Sequence, residues 1–129
     1  VGVDLNFHPI RLILEYSLLD FGELLFLPEE TRTLASVVYS MGENAFSYSL
    51  SGNKKESDSS IASNAPGAVA QASAAGILAS TDSDVLTHTL GLRHDFHDSA
   101  AFKIEYIATE DSIKNTEATL VRFGVDLIF

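Results

Sequence analysis

The sequence contains no cysteine and no tryptophan, only three prolines, and eight Lys plus Arg against eighteen Asp plus Glu. Each shortage excludes something. Without cysteine there is no disulfide framework, no thiolate metal site and no cysteine nucleophile. A formal net charge of −10 is the opposite of the clustered Lys and Arg that bind nucleic-acid phosphates, so nucleic acid is not an expected partner. No apolar run approaches the roughly 18 residues of a membrane-spanning helix. With 129 residues the chain suffices for one domain and not for two. It begins at Val1 with neither an initiator Met nor a signal-peptide pattern, and so reads as a piece of something larger.

What is present is period-2 alternation, the mark of strands. At the end of the chain Thr119, Val121, Phe123, Val125, Leu127 and Phe129 share one face, and Leu120, Arg122, Gly124, Asp126 and Ile128 lie on the other. Phe102, Ile104, Tyr106 and Ala108 oppose Lys103, Glu105, Ile107 and Thr109. Leu86, Leu90, Leu92 and Phe96, with His88 and His94, oppose Thr87, Thr89, Gly91, Arg93 and Asp95. Val1 to Phe7 and Ile10 to Leu18 alternate in the same way, and two weaker strands are predicted at 33–41 and 45–51. That makes seven strands. Short turns fall at His8-Pro9, Gly42-Glu43-Asn44 and His97-Asp98-Ser99, and long connections at 19–32, 52–85 and 110–117. Within 52–85, Ala68–Ala79 reads as a short helical turn after Pro66-Gly67.

Charge placement points to the environment. Nine charged residues lie in the predicted strands: Asp4, Arg11, Glu15, Arg93, Asp95, Lys103, Glu105, Arg122 and Asp126. All nine oppose the apolar stripe. The best-defined strands also exceed the five to six residues usual in soluble proteins and suit a tilted bilayer crossing. Large side chains on the apolar stripe, mostly aromatic, sit in two sets, Phe7, Met41, Phe96, Phe102 and Phe129 beside the short turns and Tyr16 and Tyr106 further along. At about 3.3 Å per residue and roughly 45° tilt these sets are on the order of 15–20 Å apart, as two interfacial girdles would be. Lipid leaves backbone groups unsatisfied, so a sheet in a bilayer must close into a barrel. Seven strands need further ones to close. The expected fold is therefore all-β, an antiparallel up-and-down transmembrane barrel of which residues 1–129 are about seven C-terminal strands, with 52–85 as a long extracellular loop.

The stretch Thr89-Leu90-Gly91-Leu92-Arg93-His94-Asp95-Phe96-His97-Asp98-Ser99-Ala100-Ala101-Phe102-Lys103-Ile104-Glu105-Tyr106 resembles the penultimate hairpin of proteobacterial outer-membrane porins. The ending Val121-Arg122-Phe123-Gly124-Val125-Asp126-Leu127-Ile128-Phe129 resembles their C-terminal strand. The resemblance implies a barrel of about 16 strands, a homotrimer, and a place in the outer membrane of a Gram-negative bacterium. It implies contact with outer-membrane lipid and lipopolysaccharide. It also implies that Phe123, Val125, Leu127 and Phe129 form the signal read by the barrel-assembly machinery.

On this reading the nine strand charges line a water-filled pore, through which small hydrophilic solutes or ions diffuse passively. Several of them are also expected to form cross-strand pairs that stiffen the wall. Other readings are a non-channel outer-membrane barrel for adhesion or lipid binding, and a soluble β-sandwich binding module. No nucleophile elbow or other catalytic signature is present, so no enzyme activity is expected. His8 and His97 occupy equivalent turns, with Asp98 beside one, and read as polar turns at the membrane surface, a metal site being the lesser alternative. His88 and His94, on the apolar face, lack the spacing of a metal site, and no cofactor is expected. The acidic residues Glu29, Glu30, Asp58, Asp82, Asp84, Glu110 and Asp111 read as a solvated rim, with Ca²⁺ bridging to lipopolysaccharide as the lesser alternative.

Overall fold

The alternating segments form strands in a computed structural model of the chain, which describes residues 1–20, 28–58 and 62–127. The strands are β1 (Gly2–Phe7), β2 (Ile10–Leu19), β3 (Glu29–Met41), β4 (Asn44–Glu56), β5 (Ser83–His97), β6 (Ala100–Asp111) and β7 (Thr116–Leu127). One helix, α1 (Ala68–Thr81), joins β4 to β5. The strands make a single seven-stranded antiparallel sheet in chain order. A meander of this kind needs only connections between neighbours. β1 and β7 are its edges and run in the same direction, so each leaves one row of backbone groups open.

Register confirms the two faces. Directly opposed residues share a face, and the pairs Leu5↔Leu12, Leu12↔Val37, Val37↔Tyr48, Tyr48↔Leu90, Leu90↔Tyr106 and Tyr106↔Val121 carry the apolar stripe across all seven strands. Among the described residues no second layer covers this stripe: Phe7, Phe123 and Val125 are 67%, 64% and 59% exposed. The buried residues of the strands (Ser36, Ser83, Ala101 and Asp111) all lie on the other, polar face. Among the described residues no second layer lies over this face, so its side chains hide one another, as they do on the inner side of a sheet that curls with its polar side inward and its apolar side outward.

The hairpins are offset by a regular amount. The closing pair of the first hairpin, Phe7↔Ile10, lines up through Tyr39 with Phe46, two residues inside the second hairpin's closing Asn44. Asn44 lines up through His94 with Phe102, two residues inside Ala100 of the third. The offset is one residue per strand. With about 3.3 Å of rise against about 4.8 Å of strand spacing, it corresponds to a tilt of roughly 35° for strands whose hairpins share a plane.

Correcting for this slope aligns features that look scattered in the sequence. Among the described strand residues, the outward face keeps charge only at the end away from the short turns, at Glu29, Lys54, Glu56, Asp84, Glu110 and Glu117. These residues fall within about two residue rises of one level. Phe7, Met41 and Phe96 share a level beside the turns, and Tyr16 and Tyr106 share another. Between the lower aromatics and the charged line, the outward face is uncharged for roughly 27 Å along the tilt axis.

The long connections are shorter than the sequence suggests. β3 and β4 reach Glu29 and Glu56, beyond their predicted limits of 33 and 51. The loop expected over 52–85 begins after Glu56 and ends before Ser83. The connection expected over 110–117 is a four-residue turn, Ser112 to Asn115. Asp111 shapes it by accepting the backbone N–H groups of Ile113 and Lys114, each at 3.1 Å. Asn115 takes the left-handed φ of 51° that asparagine tolerates. Within the β4–β5 connection, α1 extends the predicted helical turn to Thr81. It is tied to the end of β4 through Ser57, whose backbone N–H donates to Asp82 at 2.8 Å and whose hydroxyl donates to the Leu78 carbonyl at 3.0 Å.

The β3–β4 turn places Gly42 at φ 59°, with open space where a Cβ would stand. The cost of a side chain there is therefore purely conformational. Gly42→Val is expected to destabilise the protein by about 1–2 kcal/mol, measured as a shift of the denaturant midpoint.

Candidate functional site

The polar face is where the sequence concentrates chemistry. All nine predicted residues lie on it, and the register groups them in two sectors. Asp4, Arg11 and Glu15 stand on β1 and β2. Arg93, Asp95, Lys103, Glu105, Arg122 and Asp126 stand on β5 to β7.

Eight of the nine are paired. Arg11 grips Asp4 with both ends of its guanidinium, Nε to Oδ1 at 3.0 Å and a terminal nitrogen to Oδ2 at 2.6 Å. The two residues are diagonal neighbours, since Asp4 opposes Ile13 and Arg11 opposes Asn6. Arg122 and Glu105 oppose each other directly and bond through Nε at 2.6 Å. Arg93 donates to Asp95 at 2.6 Å and lies 3.7 Å from Asp126, which also holds Lys103. The Arg93–Asp126 approach crosses from β5 to β7 over β6. Among the described residues, Glu15 is the one member of the nine with no hydrogen-bond or ion-pair partner. These carboxylates and cations are half exposed or nearly so on average, so the pairs orient one another more than they hold the sheet together. They form a pattern of alternating sign on an open concave surface.

Further polar-face residues stand on strands where the sequence reads as loop. Glu30 bonds Arg32 and Asn53, each at 2.8 Å. Lys55 opposes Glu30, and Asp111 ends β6 on the same face. The alternation of Glu30 with Arg32 and of Asn53 with Lys55 was the available signal. It lay outside the predicted strand limits.

A second missed feature separates the two charged sectors. The middle of the polar face, on β3 to β5, carries Ser36, Ser47, Ser49, Ser51, Thr87 and Thr89 and no charge. Ser36 and Ser49 share a hydrogen bond at 2.7 Å, and Thr87 bonds Thr109 at 3.1 Å. Small side chains allow close approach here. A Cβ at Gly91 would collide with the Ser47 hydroxyl opposite it.

Phe123, Val125 and Leu127 are exposed on the outward apolar face, and the Phe123 ring lies 6.5 Å from that of Phe102. Phe129 lies outside the described residues. His97 bonds Ser99 within its own turn at 3.0 Å. Among the described residues no group of three or more His, Cys, Asp or Glu is arranged to hold a metal ion. Comparison with family models, with curated proteins and with solved structures finds no match.

Proposed function

We propose that this sheet is a sector of the wall of an outer-membrane β-barrel porin from a Gram-negative bacterium. The polar concave face would line a water-filled pore for passive diffusion of small hydrophilic solutes or ions. The observation that supports this best is a single-layer sheet with opposite chemistry on its two open faces. The outward band is roughly 27 Å tall and 30 Å wide, on the order of 800 Å² of uncharged surface that is mostly apolar. Soluble monomers rarely expose more than about 300–600 Å² in one patch. A soluble β-sandwich would cover that band with a second layer, and the described residues supply none.

Lipid covers it instead on this reading. The height of the uncharged band is close to the roughly 25 Å apolar band of such barrels, and a tilt of about 35° falls in their range. The charged line from Glu29 to Glu117 would then sit at the headgroups. Barrel closure would come from an odd number of further strands between β7 and β1, because the two edges run the same way and an antiparallel wall needs an even total. Lipopolysaccharide and the assembly machinery are the partners this reading brings, the latter through Phe123, Val125, Leu127 and Phe129. Homotrimer formation belongs to the same proposal.

Reconstituted into planar bilayers, the protein is expected to conduct ions in discrete steps. A folded, heat-modifiable barrel that never conducts would overturn the pore and favour an adhesion or lipid-binding barrel. Recovery of the protein in the soluble fraction would overturn the membrane reading altogether.

A further inference from the structure

The polar face is not uniformly hydrophilic: Ile13, Leu34 and Val38 lie on it on β2 and β3, and a further apolar pair stands on β6 and β7. On β6 and β7, Ile107 and Leu120 oppose each other on the polar face. Apolar area left facing water forgoes about 25 cal/mol for each Å². One row nearer the short turns stand Glu105 and Arg122, joined as an ion pair. The next row is Lys103 opposite Gly124. A Cβ at Gly124 would meet nothing within 4 Å. The wall is therefore recessed between Arg122 and Asp126, the carboxylate that holds Lys103.

Three successive rows thus offer an apolar shelf and then both signs of charge around a gap. Arg122 and Lys103 balance Glu105 and Asp126, so the sector exerts little net pull on a simple anion or cation. It complements a solute bearing both charges close together beside a short apolar body. We infer that this sector is a subsite for zwitterions with an aliphatic side chain, of which leucine is the simplest probe. The inference rests on the pore reading above. Arg122 engages Glu105 through Nε and one terminal nitrogen, which leaves guanidinium donors for the solute carboxylate. Glu105 and Asp126 face the solute ammonium, and Ile107 and Leu120 take the side chain. Adjacent rows are about 6.6 Å apart along the strand, within the span of leucine from carboxylate to methyl groups.

The test is ion conductance of the reconstituted protein with L-leucine, glycine or 4-methylpentanoate added. Leucine is expected to reduce conductance saturably, with glycine and 4-methylpentanoate much weaker because each lacks one half of the match. Leu120→Asn is expected to weaken the leucine effect about tenfold, while Leu120→Ile restores it and the outward Val121→Ile leaves it in place. A conducting protein on which leucine and glycine act alike, or a Leu120→Asn variant as sensitive as the parent, overturns the subsite and leaves the pore standing. A folded protein without conductance overturns both.

Discussion

Leu14→Arg and Ile104→Arg are each expected to destabilise the membrane-inserted protein by about 2–4 kcal/mol. Both positions face outward and lie near mid-height of the uncharged band once the one-residue-per-strand offset is applied. On the proposed membrane reading, an arginine there would have to bury its charge among acyl chains or deform the bilayer around it. The effect should fade with height. Leu18→Arg, close to the charged line, is expected to cost about 0–1 kcal/mol. Ile13→Arg, one residue from Leu14 but on the polar face, should likewise cost little, because its side chain enters water. Equilibrium unfolding from lipid vesicles measures all four. The height dependence is the informative part. In the core of a soluble sandwich, Leu18 and Leu14 would be penalised alike.

The second large effect is on selectivity. Arg93 and Lys103 oppose each other on β5 and β6 and share Asp126, with Asp95 also bound to Arg93. Replacing both cations by glutamine leaves two carboxylates on a concave polar wall without their counter-charges. The cation-to-anion permeability ratio of the Arg93→Gln/Lys103→Gln protein is then expected to rise by about threefold or more at low salt. The change should shrink as salt screens the carboxylates. Reversal potentials in a salt gradient give the ratio. An unchanged ratio would remove these residues from the ion path. Glu15, which has no partner among the described residues, provides the reverse case. Glu15→Gln should shift the ratio toward anions without breaking a pair.

How far these features were legible in the sequence follows from what sets each of them. Alternation alone put Asp4, Arg11, Glu15 and the six charges of β5 to β7 on one face, because period 2 fixes the side of every residue in a strand. It failed at the far ends of β3 and β4. There Thr31, Thr33, Gly52 and Lys54 continue the outward face without apolar side chains, so backbone pairing persists where the hydrophobic signal has stopped. The turn at Ser112 to Asn115 was hidden by the same effect, since Glu110, Asp111 and Glu117 are strand residues that read as loop. Ion-pair partners were out of reach for a different reason. Whether Arg11 meets Asp4 or Asn6 depends on the register set by the His8-Pro9 turn. Whether Arg93 reaches Asp126 depends on two registers in succession. The common level of the six outward charges needs every register at once, and no single strand contains it.

The absence of cysteine from the chain makes one experiment especially direct. Single cysteines can be introduced along β6 and β7 of the protein reconstituted in vesicles, and each labelled with a fluorophore. Quenching is then compared between a lipid-soluble and a water-soluble agent. With opposite faces in lipid and water, Phe102→Cys, Ile104→Cys, Phe123→Cys and Val125→Cys should respond to the lipid-soluble agent. Lys103→Cys, Glu105→Cys, Arg122→Cys and Gly124→Cys should respond to the water-soluble one, so that the response alternates at every residue. Quenching of both sets by the aqueous agent, or a response with no period of two, would contradict a wall with lipid on one face and a pore on the other.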